Sequence, residues 1–193
     1  MDCFQIINKN VIKIIDALRK GELYFNQIYE LTGIMSKNNI IKNLNLLTEL
    51  KVIKKKKSKS NTFYSINYEN DIALILLQML NMFRLQNLPF ERRKAIIEVL
   101  NLAKPCLAVL FGSTAKNNFK KKSDIDLLLI RSKSSSSLNK KITVISSRYG
   151  LSINPVLMDF DEFNAGNETV RHIIKTGYPL VGYRYFYEVF RNV

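Results

Sequence analysis

Histidine is nearly missing from this 193-residue chain, and the single His172 cannot anchor a His-rich metal site or serve most hydrolytic triads. It reads as a helix-surface residue. Cysteine is scarce as well. Cys3 and Cys106 have no metal-ligand spacing and lie in apolar stretches, so the expectation is reduced, buried thiols in a cytoplasmic protein. Long hydrophobic runs are absent. The richest, Ile72 to Leu80, is interrupted by Gln78 and falls far short of the ~20 residues of a membrane helix, so no membrane partner is expected. The amino terminus lacks the pattern of a cleavable signal: Asp2 is acidic and lysines recur in the next apolar stretch. Acids are outnumbered, 16 against 30 Lys plus Arg, for a net charge of +14 and a pI near 9.8. Residues 1–70 hold 12 basic and 6 acidic side chains and residues 71–193 hold 18 and 10, so the excess is spread along the chain. Such a surface attracts polyanions: nucleic acid, nucleotide phosphates or an acidic partner. Apolar content of 47% is that of a globular protein, with room for one large or two small domains.

Chemistry concentrates in one segment. Gly112-Ser113 is followed, after ten residues, by Asp124-Ile125-Asp126. Leu107 to Phe111 before it and Leu127 to Ile130 after it have strand length, while the spacer is polar and lysine-rich. The pattern predicts strand, glycine-serine turn, short helix or loop, then a strand carrying two acids. Residues i and i+2 of a strand share a face, so both carboxylates project together. Two acids so close repel unless a cation sits between them, and Mg²⁺ bridging to nucleotide phosphates is the usual remedy.

The pattern G-S-x10-D-x-D resembles the signature of the polymerase-beta-like nucleotidyltransferases, above all the small prokaryotic branch called minimal nucleotidyltransferases. Four fixed positions recur by chance in roughly 0.3% of chains this size, so coincidence is a poor explanation. Phe111-Gly112-Ser113-Thr114-Ala115-Lys116 looks like the family's strand end and turn, with Lys116 where an arginine is common. Ile173 to Gly182 looks like its weaker closing motif, so the likeness spans about residues 105 to 185. The resemblance implies that Gly112, Ser113 and Lys116 bind nucleotide and that Asp124 and Asp126 are catalytic and hold metal. It implies Mg²⁺ in a two-ion site and an NTP substrate, with ATP the expected one. Lys120, Lys121 and Lys122 add positive charge nearby, or form a solvated loop. A third acid normally completes the site from a neighbouring strand and helps deprotonate the acceptor hydroxyl. In Leu151 to Val156 that position falls on Asn154, and an amide is no base. Asp159 and Asp161 lie beyond that strand.

The first seventy residues have their own order. Val11, Ile14, Ile15 and Leu18 mark an amphipathic helix closed by Gly21; a second helix runs from Asn26 to Leu31, and Thr32-Gly33 makes a tight turn. Ser36 caps a third helix reaching Leu50, with Ile40, Leu44 and Leu47 inward, joined by Leu50 or Ile41. Val52-Ile53, a basic tip from Lys54 to Asn61 and the alternating run Thr62 to Tyr68 read as a β-hairpin. The whole resembles a winged helix-turn-helix domain of prokaryotic transcription regulators. That resemblance implies contact with double-stranded DNA through Lys37, Asn38, Asn39, Lys42 and Asn43 of the third helix and Lys54, Lys55, Lys56, Lys57 and Lys59 of the wing. Asparagine can bond adenine's N6 and N7, and lysines neutralise phosphates.

Asp71 to Leu85 is apolar on nearly every face, which predicts a buried helix, in a core or against a second copy in a homodimer. Phe90 to Lys104 forms a further helix, ended by Pro105. Beyond it the order is β-α-β-α-β-α, with a loop at Ser132 to Ser137, a helix over Leu138 to Tyr149, a strand over Leu151 to Met158 and helix over Asp161 to Thr176, broken near Gly166. The aromatic tail, Tyr183 to Phe190, reads as a final packed helix. The expected class is α+β: a winged helix-turn-helix at 1–70, a helical linker or dimerisation segment at 71–104 and a nucleotidyltransferase fold at 105–193, with a small mixed sheet flanked by helices. Two functions stay open. One is NMP transfer to a hydroxyl, as in relatives that modify a partner toxin, which would suit an antitoxin that also binds its promoter. The other is a transcription regulator whose transferase domain has lost chemistry and only binds nucleotide or dimerises.

Overall fold

Asn8 opens the first helix by accepting hydrogen bonds from the amides of Asn10 and Val11. A computed structural model describes residues 8–19, 21–131 and 136–190. The chain divides into two compact units, Met1–Leu80 and Asn81–Val193.

In the first unit, α1 (Lys9–Leu18) buries Val11, Ile14, Ile15 and Leu18 as its periodicity predicts. After β1 (Leu23–Tyr24), α2 (Phe25–Thr32) ends at Gly33, whose φ of +58° is the left-handed stop that a glycine supplies without strain. Ser36 Oγ then accepts from the Asn39 amide and starts α3 (Lys37–Glu49). Ile40, Leu44 and Leu47 are buried, Leu50 is half-buried and Ile41 is exposed, so the stripe closes through Leu50. β2 (Ile53–Lys57) and β3 (Thr62–Ile66) form an antiparallel hairpin, and β1 joins its other side in the order β1-β3-β2. Lys54 to Lys57 lie within β2, paired with Phe63 to Ser65 and Thr62, and not in the tip; Ser58 to Asn61 alone turn the chain.

Helix α4 (Asp71–Gln86) crosses the division between the units. It is not covered all round: Ile72, Ile75 and Phe83 are 37%, 46% and 51% exposed. Helix α5 (Phe90–Ala103) follows, with Arg92, Ala95, Ile96, Val99 and Ala103 buried on one stripe.

The second unit centres on β4 (Leu107–Phe111), β5 (Ile125–Ile130), β6 (Ile153–Met158) and β7 (Tyr178–Val181), in the order β6-β5-β4-β7. Only the β5–β6 pair is parallel, so the sheet is mixed. Leu107 to Leu110 and Leu127 to Ile130 are buried without alternation, as strands covered on both faces are. Around the sheet lie α6 (Gly112–Ala115), α7 (Ser136–Tyr149), α8 (Phe160–Asn164), α9 (Glu168–Thr176) and α10 (Tyr183–Phe190). Helices α8 and α9 part at Gly166, in line with the expected break. α10 buries Phe186 and Tyr187.

Three further expectations are corrected. The sheet has a fourth strand, β7, which carries Pro179 and lies at the sheet edge, where a missing amide costs no ladder bond. Cys106 is exposed, because it precedes β4 and lies outside its covered run. The serine loop lies outside the described residues from Ser132 to Ser135, and Ser136 and Ser137 already belong to α7; Cys3 is also outside them. His172 is exposed on α9. Among the described residues, no helix is long and apolar enough to cross a membrane.

Candidate active site

At the end of β4 the ladder pairs Phe111 with Asp126. The next residue, Gly112, has φ +69° and swings the chain into α6. A Cβ at this position would stand 2.0 Å from Asp126 Oδ2. Any other residue would therefore push the carboxylate away, and the left-handed backbone adds its own penalty. The glycine is required for two reasons at once. Ser113 follows, half-buried, and its carbonyl accepts from the Asn118 amide at 3.1 Å.

Asp126 has a second neighbour. The parallel register sets it beside Asn154 on β6, and Asn154 Nδ2 donates to Asp126 Oδ1 at 3.2 Å. Asp124 precedes β5 and is exposed, while Ile125 and Leu127 are fully buried. Within β5, Asp126 lies on the face opposite those two apolar neighbours. The Asp124 carbonyl accepts from Thr114 Oγ1 at 3.2 Å, which ties the helix after the turn to the strand bearing the acids. Lys116, Lys120, Lys121 and Lys122 are exposed in the connecting loop. Asp159 caps α8 by accepting from the Glu162 amide at 2.8 Å, beyond the end of β6, and so does not fill the third acid position.

Hard carboxylate oxygens suit a divalent cation such as Mg²⁺, which commonly takes one or two protein carboxylates and completes its shell with water and substrate phosphates. Among the described residues there is no group of three or more His, Cys, Asp or Glu that could hold a metal. The donor set fits a cation that arrives with a nucleotide.

Sequence reasoning missed Arg92. The residue is 3% exposed, and its guanidinium donates to Thr114 Oγ1 and to the carbonyls of Lys120, Lys121 and Ser123. Burial pushes its pKa down, and the charge of Asp124 works against that shift. The signal was available: Arg92 stands three and four residues before Ala95 and Ile96, on the apolar stripe of α5.

In the first unit, Lys37, Asn38, Asn39 and Lys42 are exposed on α3, and Lys54 to Lys57 and Lys59 are exposed in the hairpin. Asn43 is a correction. It is 8% exposed, its Nδ2 donates to the Asn39 carbonyl at 2.6 Å and its Oδ1 accepts from Asn8. Both ends of the amide thus have a partner within the unit, unlike the exposed Asn38 and Asn39. Lys54 Nζ is 3.6 Å from Glu69, and Lys37 lies over the Tyr29 ring. A hollow of about 560 Å³ between the start of α1 and α3 is bordered by Lys9, Asn39 and Lys42.

Residues 94–183 match the family described as polymerase beta, nucleotidyltransferase. That span runs from α5 through β7 and includes Gly112, Ser113, Asp124, Asp126 and Asn154. The segment is a polymerase beta-like nucleotidyltransferase domain. Among solved structures, a crystal structure of a toxin-antitoxin with AMP-PNP is similar over 53% of this chain and 81% of that one, at 20% identity and a TM-score of 0.40. No curated protein matches the chain significantly.

Proposed function

We propose that the second unit binds an NTP, ATP in the first instance, with Mg²⁺, and transfers its nucleoside monophosphate to a hydroxyl of a separate acceptor. One observation carries this: the Asp126 carboxylate lies against Gly112, where the phosphate-holding turn begins. In this reading the amides and hydroxyl of the Gly112-Ser113 turn hold the terminal phosphates, and Lys116 offsets their charge. Asp124 and Asp126 hold Mg²⁺, which when bound neutralises the phosphates and the departing pyrophosphate. The acceptor hydroxyl attacks the α-phosphorus, a P–O bond to the acceptor forms, and the bond to pyrophosphate breaks. Asn154 cannot take the acceptor's proton, so that proton passes to solvent. Beside Asp126, Asn154 would offer a second ion only a neutral side chain.

The first unit, in the same proposal, is a winged helix-turn-helix that binds double-stranded DNA as a homodimer, with α3 in the major groove and the β2–β3 hairpin as wing. The exposed Lys37, Asn38, Asn39 and Lys42 and the row Lys55 to Lys59 support that reading. An antitoxin-like protein would join these activities: one unit on its promoter, the other modifying a partner toxin.

A second reading is favoured by Asn154 itself. A neutral amide in place of the third acid leaves binding intact and removes the base, which describes a DNA-binding regulator that senses nucleotide. Incubation with each α-labelled NTP and Mg²⁺, across protein, nucleic-acid and small-molecule acceptors, separates the two. Label transfer that disappears in Asp124→Asn and Asp126→Asn supports the enzyme. Retention of ATP and DNA with no transfer to any acceptor supports the regulator, and transfer undiminished in both variants removes the site.

A further inference from the structure

A buried guanidinium is costly unless its donors are met, and Arg92 meets them almost wholly with the loop between the two motif blocks. Nη1 donates to Thr114 Oγ1 at 3.0 Å. Nη2 donates to the carbonyls of Lys120, Lys121 and Ser123 at 3.1, 3.4 and 2.6 Å. The plane also sits over the Phe119 ring, 4.4 Å from its centre. These carbonyls belong to a loop outside the strand ladders; that of Lys120 also accepts from the Ser123 amide at 3.0 Å, while for those of Lys121 and Ser123 the side chain supplies the partner a ladder would give. Thr114 Oγ1 accepts from Arg92 and donates its own proton to the Asp124 carbonyl at 3.2 Å. One hydrogen-bonded chain therefore runs from α5 through α6 to the start of β5. Thr114 adjoins Ser113, and Asp124 is the first of the two acids.

We infer that Arg92 is a positioning residue that clamps the 116–124 loop and fixes the spacing between the Gly112-Ser113 turn and Asp124. The inference rests on the nucleotide-binding reading of that site. Lysine could not replace it. Its single ammonium lacks the planar fork that reaches a hydroxyl on one side and three carbonyls on the other. Release of the clamp leaves the acids and the turn on elements that drift relative to one another, and a displacement of about 1 Å at such a site can cost about a hundredfold.

The full-length chain carries the test, with Arg92→Lys and Thr114→Val compared with wild type. Two readouts are used, each after far-UV circular dichroism shows a folded chain. The first needs no ligand: endoproteinase Lys-C cleavage after Lys120 and Lys121, whose carbonyls Arg92 holds, with cleavage after the exposed Lys56 and Lys57 as internal reference. The second is Mg²⁺·ATP affinity by equilibrium dialysis. Arg92→Lys should raise relative loop cleavage about tenfold and weaken Mg²⁺·ATP about tenfold or more. Thr114→Val, which breaks the link to Asp124 but spares three of the four Arg92 bonds, should weaken Mg²⁺·ATP about fivefold with little change in cleavage. The double variant should bind no worse than Arg92→Lys alone, since both act on one chain of bonds. Loop release with unchanged ATP affinity overturns the positioning role while the nucleotide site stands. Failure of the wild-type chain to bind Mg²⁺·ATP overturns the nucleotide site and the positioning role with it. Unchanged cleavage in folded Arg92→Lys overturns the clamp.

Discussion

Replacing Asn154 with aspartate places two carboxylates where an amide now donates to an acid. The present Nδ2 to Oδ1 separation is 3.2 Å. At that distance two unit charges repel by about 1 kcal/mol in water and about 5 kcal/mol at an effective dielectric constant of 20. Asn154 is exposed and Asp126 half-buried, so solvent screening brings the figure to about 2–3 kcal/mol. Repulsion of that kind favours the protonated form of the new pair in the folded chain. The sign follows from the direction. A carboxyl whose folded pKa is raised costs nothing below the unfolded value, where both states are protonated. Its penalty grows as pH rises through the raised value. Without metal, Asn154→Asp should therefore match wild type near pH 4 and be less stable by about 2–3 kcal/mol at pH 7.5, or roughly 10 °C in melting temperature for a unit of this size. Mg²⁺ between the carboxylates should restore most of that loss, while wild type gains less. Differential scanning fluorimetry at both pH values, with EDTA and with Mg²⁺, reads all four conditions. A variant as stable as wild type in EDTA at pH 7.5, with the same Mg²⁺ response, would show that residue 154 does not face Asp126. In the transfer assay the same variant should also speed the reaction at pH 6–7 by about a hundredfold, because it supplies a general base.

Gly112→Ala should abolish nucleotide binding with the fold retained, since its Cβ would lie 2.0 Å from Asp126 Oδ2; circular dichroism and ATP dialysis check both halves, and wild-type affinity would refute the contact. For the first unit, log affinity for duplex DNA should fall linearly with log salt, and changing Lys55, Lys56 and Lys57 to alanine should flatten the slope by about three units, near one for each phosphate no longer neutralised. Asn43→Ala should cost stability by about 1–2 kcal/mol, since it removes the bonds to Asn8 and to the Asn39 carbonyl, and should leave the base preference of DNA binding unchanged; a chemical-denaturation curve and a binding-site selection read the two.

What can be read in the sequence differs by kind of interaction. The turn and its two acids are legible because glycine, serine and aspartate sit at a strand end and a strand start, where period-2 alternation governs direction. Asn154 is picked out by the family resemblance alone, and the parallel register that sets it against Asp126 leaves no mark in the sequence. Arg92 is not legible. Three of its partners are backbone carbonyls 28 to 31 residues away, and a carbonyl leaves no trace in residue identity. Asn43 reads as polar-face by its chemistry, although it stands three residues after Ile40, inside the Ile40, Leu44, Leu47 stripe, where the helical period places it indoors. Strand β7 is hidden by Pro179, which argues against a strand until its edge position is known. The exposed row Ile72, Ile75 and Phe83 on α4 is unreadable for a different cause: a helix apolar on every side gives no periodic signal of which side faces water.

Binding of α-labelled ATP to the full-length chain by equilibrium dialysis, with Mg²⁺ and with EDTA, is the most direct measurement. Saturable binding that needs the cation and vanishes in Asp126→Asn is the predicted result. An Asp126→Asn chain that binds as wild type does, or wild-type binding indifferent to EDTA, would contradict the assignment of these acids.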